Sequence, residues 1–384
     1  MVRLREVQLR EIELQMAAGF STSGSSLEFT TRFGMVLRRL YTLWLTAVPR
    51  FLRIIVSRFL VFVPQLCGVL FITFTLIRLL PGDPALTLLG NLATPEAIAA
   101  LRERLGLNQG ILQQFVLYAQ NVAHGDLGTS ILTSNPVTVD LSERAPATFE
   151  LILYALLTTI IGGLLMAALA VVHPRGFFDR VGQLYGLVAG AIPDFWVALL
   201  LIYVGFHCLG WAPPPFGRLD TFVNAPPRCT GFLTIDSLLV GDWQAFTSAF
   251  GRLILPVATL TIVNAGALMK MARTVLAANY NSEFAQHARA CGLRERTIVW
   301  SALRNSLPPL ITQIGFLAGF LLGGAVLVET IFSWNGVGQY AVQAVVRSDY
   351  AALQGFVLLA SVFILLVYLT VDIIYELADP RIEV

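Results

Sequence analysis

The chain has 384 residues, of which 56% are hydrophobic and 13% are charged, and its mean hydropathy is +0.72. Ordinary globular proteins carry about twice that charged fraction, so the composition excludes a disordered, fibrous or purely soluble protein and favours one embedded in lipid. The net charge of +2 gives no reason to expect nucleic acid as a partner. Its four cysteines, at 67, 208, 229 and 291, lack metal-binding spacing, so no metal site is predicted.

Residues 1–50 form a separate N-terminal extension, and residues 51–384 form the membrane domain. The stretch 35–58 interleaves arginines with Leu, Trp and Phe, which is typical of a helix lying on an anionic inner leaflet. A cytoplasmic lead-in helix that only sets the topology is an equal alternative. A third interpretation is that translation starts at Met35.

Six apolar runs are long enough to be transmembrane helices. A hydrocarbon core about 30 Å thick requires roughly 20 apolar helical residues. The first run begins too late and is too long for a secretory signal, so we expect it to remain in the mature protein. The fold class is therefore an all-α polytopic membrane protein with six transmembrane helices. The predicted spans cover approximately 59–80, 149–172, 183–210, 253–273, 310–329 and 353–375.

Arginine and lysine are distributed unevenly between the two sets of segments that flank these spans. The set with 17 of them comprises 1–57, 173–185, 270–309 and 377–384. The set with 7 comprises 81–148, 211–252 and 331–352. The positive-inside rule therefore predicts that both termini are cytoplasmic and that the long segments 81–148 and 211–252 face outward.

The outer segment 81–148 contains two helix signals. Thr94 suits an N-cap, Pro95 a first helical position and Gly106 a helix end, which predicts a helix of about three turns. A second amphipathic stretch covers about 109–123.

The outer segment 211–252 is rich in proline and is predicted to be an ordered but irregular cap. Cys208 lies at the outer end of the third span and Cys229 lies within this cap. The two could be oxidised in an outside compartment, but nothing in the sequence sets their distance, so free thiols remain the alternative.

The cytoplasmic segment of about 274–309, between the fourth and fifth spans, is too polar to cross a membrane. Within it, alanines at 285, 288 and 290 permit close helix approach, Gly292 breaks the helix and Leu293 begins a second amphipathic turn. A short helix, a glycine bend and another helix would suit docking in the cleft of a partner. A solvated cytoplasmic loop is the alternative for this segment taken alone.

This segment also carries a resemblance. QHARACG followed by LRERTIVWSALRNSLPP is similar to the EAA loop of inner-membrane permease subunits of ABC importers, in the form of the dipeptide, oligopeptide and nickel group. Other signatures of that group occur in order: RLLPGDPA at 78–85, TPEAIAALRERLGL at 94–107, GDLGTS at 125–130, RAPATFEL at 144–151, IPDFW at 192–196, VETIFSWNGVG at 328–338 and DPR at 379–381. Gln286, His287 and Asn335 depart from the usual Glu, Ala and Pro of that group, and the segment 211–252 is long. The resemblance covers about residue 51 to the end.

The resemblance implies a type I ABC importer permease of a bacterial inner membrane that forms half of a path for peptides or similar small solutes. It implies a second homologous permease, two ATP-binding subunits that carry ATP and Mg, and an external substrate-binding protein. Closure of the ATPases would push on the 283–298 loop and switch the path between inward-open and outward-open states. Arg289 would then face any acidic surface on the ATPase. The implied coupling residues are Glu283, Gln286, His287, Ala288, Arg289, Ala290, Gly292, Leu293 and Arg294.

The residues give no sign of catalysis by this chain. Its single lysine, Lys270, is not in a glycine-rich phosphate loop, and no HExxH motif occurs. The chain is therefore predicted to be no enzyme and to hold no cofactor itself. Two alternatives remain: a stand-alone secondary transporter that uses Asp194 for ion coupling, and a polytopic membrane enzyme.

Asp194 is the leading candidate for the substrate path. A carboxylate near the middle of a span is costly in lipid and must face a cavity or a partner, and Pro193 should kink the helix beside it. Asp194 could contact a cationic part of the cargo, or it could pair structurally with Asn264 or Gln313.

Two predicted spans carry glycine at every fourth residue, which lets helix backbones approach closely. Helix packing and lining of the substrate path are the two interpretations of these stripes. Their members are Gly182, Gly186 and Gly190, and Gly315, Gly319 and Gly323.

Overall fold

Every α-helix and helical turn below comes from a computed structural model, which describes residues 50–79, 94–104 and 109–378. The contacts discussed all lie within residues 58–378, which belong to one compact unit. The extension 1–49, the motif residues 80–85 and 379–381, and Gly106 lie outside the described residues. The described helices are α1 (Arg50–Leu79), α2 (Pro95–Arg104), α3 (Ile111–Ala123), α4 (Val137–Val172), α5 (Phe177–Val188), α6 (Asp194–Ile202), α7 (Leu233–Val240), α8 (Trp243–Tyr280), α9 (Glu283–Ala290), α10 (Glu295–Ile331), α11 (Val337–Val346) and α12 (Tyr350–Ala378).

Five of the described helices are long and apolar enough to cross a membrane: α1, α4, α8, α10 and α12. A sixth span is obtained if the bent pair formed by α5 and α6 is counted as one. The described chain thus confirms the predicted all-α polytopic fold, with the third span broken.

The break in the third span lies at Ile192 and Pro193. A turn of 3-10 helix over Ala189–Ala191 ends α5, and Ile192 and Pro193 are both extended before α6 begins. Proline disfavours helical geometry in the residue before it and has no backbone N–H to continue the helix. The two halves meet at 108°. The predicted kink is therefore a full interruption, and a π-helical turn over Tyr203–Cys208 closes the span.

The long helices extend well beyond the apolar runs that identified them. Helix α4 begins at Val137, and α8 has 38 residues, which corresponds to about 57 Å. This is nearly twice the thickness of a hydrocarbon core of about 30 Å. Hydropathy detects only the apolar part of a helix, so the spans predicted to start at 149 and 253 begin inside longer helices.

The two predicted outer helices are present as α2 and α3. Helix α2 begins at Pro95, and the backbone N–H of Ala97 donates to Thr94 Oγ1 at 3.3 Å, which is the predicted cap. Helix α3 covers most of the predicted amphipathic stretch.

The prediction of an irregular cap over 211–252 was wrong for nearly half of that segment. Residues 211–232 are irregular, but Leu233–Val240 form α7 and residues from Trp243 onward are the first turns of α8. Asp242 caps α8 by accepting from the N–H of Ala245 at 2.9 Å.

All four cysteines belong to the described part of the chain, and each is free and exposed. The disulfide considered between Cys208 and Cys229 is therefore not formed.

The core lies where α4, α8 and α10 pack against one another. Leu151 of α4, Leu260 of α8 and Leu321 of α10 are fully buried there, and Trp334 seals the same cluster after α10. This core joins helices that are distant in sequence, and it places the segments after α8 and after α10 at fixed ends of the same packed bundle.

Candidate coupling elbow and substrate path

Residues 280–298, called the elbow below, form the predicted helix, glycine bend and second helix. Helix α9 begins after Ser282, whose Oγ accepts from the N–H of Ala285. At its end, Leu293 N–H donates to Ala288 O at 3.1 Å and Gly292 N–H donates to Arg289 O at 2.9 Å. This pair of bonds is a Schellman motif, and it places Gly292 at φ +77°, a conformation that favours glycine.

Helix α9 is seated on the start of α10 by small side chains. Ala285 and Ala288 are buried against Ile298 and the ring of Tyr280. A larger residue at either alanine would hold the two helices apart, so these positions set the angle of the elbow.

Arg289 closes the elbow from within. Its Nε lies 3.1 Å from Glu295 Oε1, and its guanidinium lies 4.3 Å from the centre of the Tyr280 ring. The hydroxyl of Tyr280 donates to Glu295 Oε2 at 2.8 Å. Hydrogen bonds to Tyr280 and Glu295 hold the pKa of Arg289 above its usual value. Arg289 thus joins the end of α8 to the start of α10. Its charge interacts with Glu295 and with the ring of Tyr280 inside the same chain.

The predicted coupling residues divide into two groups. Ala288 and Arg289 hold the elbow together, and the others are exposed: Glu283, Gln286, His287, Ala290, Gly292, Leu293 and Arg294. Phe284, which sequence reasoning missed, is 50% exposed on the same short helix. A phenylalanine in an otherwise polar short helix was the signal that could have identified it.

Asp194 is the first residue of α6, directly after the break in the third span. Within the described residues, its Oδ1 is buried and has no hydrogen-bond partner. A Cβ built on Gly324 of α10 would lie 3.1 Å from Asp194 Oδ2, so this glycine gives the carboxylate its room.

Neither predicted structural partner contacts Asp194 by a hydrogen bond in the described part of the chain. Asn264 instead donates from Nδ2 to its own helix at Leu260 O, at 2.8 Å. Gln313 makes no hydrogen bond to Asp194 among these residues. The structure therefore does not bring the three substrate-path candidates together as one hydrogen-bonded site.

The glycine stripe of the third span lies against α8. Gly182 and Gly186 face the side chain of Met269, and a Cβ added at Gly266 of α8 would lie 2.7 Å from the Cβ of Ala189. The backbones of α5 and α8 can be this close only because these positions lack side chains.

The stripe of the fifth span is less uniform. Gly315 lies directly against Val371 of α12, whereas a Cβ added at Gly319 would lie 3.8 Å from Ile364, an ordinary contact distance. Gly190 in the first stripe and Gly323 in the second have open space within 4 Å among the described residues.

A polar clasp at the other end of α10 joins two segments that the sequence presented as separate motifs. Glu329, fully buried, accepts from the Thr148 hydroxyl and from Gln339 N–H, the latter at 2.9 Å. Thr148 in turn accepts from Val337 N–H at 2.9 Å, and Trp334 Nε1 donates to Ala147 O at 3.0 Å. The segments 144–151 and 328–338 therefore form one buried contact between α4 and the end of α10.

Asn335 explains one departure from the family pattern. Its φ is +59°, a left-handed value that asparagine tolerates and that the ring of proline excludes. Its Oδ1 accepts from Arg144 at 2.6 Å, and its N–H donates to Gln339 Oε1 at 2.7 Å. Asn335 therefore holds its left-handed conformation with two hydrogen bonds.

Comparison with known proteins matches almost the whole membrane domain. The family model "Binding-protein-dependent transport system inner membrane component" matches residues 159–384, and the model for the N-terminal part of such membrane components matches residues 51–152. The dipeptide transport system permease protein DppB of Alkalihalophilus pseudofirmus is 36% identical over 85% of this chain and 98% of its own length. The di/tripeptide permease DppB of Pseudomonas aeruginosa is 38% identical, and the dipeptide permease DppB of Escherichia coli K12 is 35% identical; each match covers 86% of this chain and 99% of the relative.

Proposed function

Because the chain belongs to the family of binding-protein-dependent transport system inner membrane components, we propose that it forms half of the membrane path of an ATP-driven importer for peptides or similar small solutes. The relatives named as dipeptide and di/tripeptide permeases support the peptide class of cargo. Nothing in the family match or the relatives supports a stand-alone secondary transporter or a membrane enzyme. The protein functions within the inner membrane, in contact with lipid.

Its partners in this proposal are a second homologous permease, two ATP-binding subunits and an external substrate-binding protein. ATP and Mg bind to the ATP-binding subunits, and this chain contributes transport without a catalytic site. Both termini lie in the cytoplasm, on the same side as the elbow, in line with the positive-inside distribution of arginine and lysine.

The elbow is the observation that carries the coupling role. It presents Phe284, His287 and Leu293 outward while Arg289 and the two buried alanines hold its shape. A rigid projection of this kind fits a cleft on an ATP-binding subunit, so movement of that subunit passes into α8 and α10.

In this proposal, Asp194 binds a cationic group of the cargo. A carboxylate oxygen that is buried without a partner among the described residues is stabilised when a cation reaches it. The amino group of a peptide supplies such a charge.

The coupling role is tested at Gly292, the bend of the elbow. The left-handed conformation costs a residue with a Cβ about 1–2 kcal/mol of conformational free energy, and this cost is highest for a β-branched residue. Gly292→Val should therefore lower peptide uptake and stimulated ATP hydrolysis about ten-fold in the assembled complex, whereas Gly292→Asn, which tolerates this conformation, should retain most of both.

Gly125→Val is the matched control, because Gly125 has a similar φ of +82° and open space around it but lies far from the elbow in sequence. Equal losses at both positions would indicate general strain. Normal uptake by Gly292→Val would overturn the coupling role.

A further inference from the structure

Helix α7 buries polar side chains and exposes apolar ones, which is the reverse of a helix on the surface of a soluble protein. Its polar side chains are almost completely buried: Thr234, Asp236 and Ser237 are each at most 1% exposed. Its last three residues are apolar and exposed, because Leu238, Leu239 and Val240 are 49%, 65% and 51% exposed, whereas Leu233 and Ile235 are half-buried. In water the opposite arrangement is favoured, because exposed apolar area is costly.

The buried polar side of α7 is firmly bonded, so the helix cannot turn its apolar side inward. Asp236 accepts from Thr230 N–H and Oγ1, both at 2.7 Å, and from Gly231 N–H at 2.9 Å. Burial raises the pKa of Asp236, but these hydrogen bonds outweigh burial and leave its pKa below the usual value. Thr234 donates through its hydroxyl and its N–H to Glu150 Oε1, at 2.6 and 2.9 Å.

The outward apolar surface continues along α8 into the membrane-spanning region. Trp243 is 68% exposed and begins α8 directly after the turn that ends α7. Its ring contacts Phe246, which stacks on Phe250 at 5.8 Å between ring centres. Ile254 and Ile262 extend the same exposed stripe at helical spacing. The stripe therefore connects α7 to the exposed apolar side of α8, a helix long and apolar enough to cross a membrane.

The depth of Trp243 can be judged from the length of α8. The rise from Trp243 to the exposed Lys270 is about 40 Å, which matches a bilayer with its headgroup regions. Lysine at one boundary and tryptophan at the other is the usual pattern of interfacial anchors. With Lys270 at the inner boundary, Trp243 and α7 reach the level of the outer headgroups.

We propose that α7 lies on the outer leaflet, with Leu238, Leu239 and Val240 inserted at the boundary between headgroups and acyl chains and Trp243 anchored beside them. The partner of this surface is lipid. The contact would hold the outer segment 211–242 against the membrane through a polar inner face fixed to α4 by Glu150.

The test uses a fluorescent bimane label on a cysteine at Leu239, in the full chain assembled with its partner subunits in phosphatidylcholine vesicles. The four native cysteines, all exposed, are first changed to serine. Lipids that carry bromine on their acyl chains near the headgroups should quench the label strongly, as expected for a helix whose apolar side is buried by about 5–10 Å, and aqueous iodide should quench it little. A label at Asn224→Cys, exposed in the irregular segment, is the control and should respond to iodide instead.

Strong quenching of the Leu239 label by iodide would show that α7 faces water and would overturn the proposal. Protection from both quenchers would also overturn it, because another protein subunit would then cover the surface. Val240→Cys, 51% exposed in the same last turn of α7, repeats the measurement if the first variant assembles poorly.

Discussion

Arg289 illustrates how a charged residue in the elbow can act within its own chain. Because it binds Glu295 and the Tyr280 ring, Arg289→Glu should place two carboxylates side by side and loosen the elbow. Uptake should fall markedly, and adding Glu295→Arg should restore part of it by reversing the pair. The measurement is peptide uptake by the two single variants and the double variant, each at equal amounts of assembled complex.

The exposed Arg296 provides the matched control for Arg289. Arg296→Glu should not be rescued by Glu295→Arg. If the Arg289 variant stays equally impaired in the double variant and its defect depends on salt, the arginine acts on a partner's acidic surface instead.

The unpartnered carboxylate of Asp194 leads to a second prediction. Asp194→Asn keeps the shape of the side chain and removes its charge, so uptake should fall while assembly stays normal. Asp194→Leu should also assemble, because the described residues contain no hydrogen-bond donor to its buried Oδ1 that the change would strand. Assembled complex and uptake are measured separately, and full uptake by the Asn variant would contradict contact between Asp194 and a cationic cargo.

At single positions the sequence was informative where backbone chemistry dominates. Gly292 and Thr94 were predictable, because a helix end and a helix cap are local events. The intramolecular role of Arg289 and the burial of Glu329 were not, because both depend on partners from other elements. The glutamate inside the apolar run that ends α10 indicated a buried polar contact, but the sequence did not indicate which residue is its partner.

At the scale of elements, close approach between α5 and α8 depends on missing side chains. A Cβ on Gly266 would lie 2.7 Å from that of Ala189, so Gly266→Ala should destabilise the folded chain by about 1–3 kcal/mol through overpacking. Thermal unfolding in detergent measures this effect. Gly190→Ala, at a position with open space among the described residues, should cost much less, and equal costs would contradict the packing argument.

The helices themselves were well predicted as apolar runs, whereas their ends and their pairings were not. Residues 137–148 look polar, yet they form the first turns of α4 because Asp140 and Thr148 are bonded to other elements. The same limitation hid α7, whose polar residues read as loop. Hydropathy predicts where a side chain lies only if water or lipid surrounds that side chain. It fails where a polar side chain is buried against a specific hydrogen-bond partner, as Asp140 and Thr148 are.

At the scale of the whole molecule, the orientation in the membrane leads to a fourth prediction. With the native cysteines replaced, a cysteine at Ala100 on the exposed α2 should react with an impermeant thiol reagent applied from outside. A cysteine at Arg296 on the elbow should react only after the membrane is opened. The reverse labelling pattern would contradict the cytoplasmic placement of both termini.

Helix α10 also determines how far a small movement can be carried. It runs from the elbow to the buried Glu329 as one helix of 37 residues, about 56 Å long. A rod of that length, tilted by about 5° at one end, displaces its other end by about 5 Å, roughly the diameter of a side chain. Pro308 and Pro309 lack the N–H groups for two backbone hydrogen bonds partway along, yet α10 continues through them to Ile331. In the proposed coupling, a slight tilt of α10 at the elbow would therefore become a side-chain-sized step where Thr148 holds Glu329.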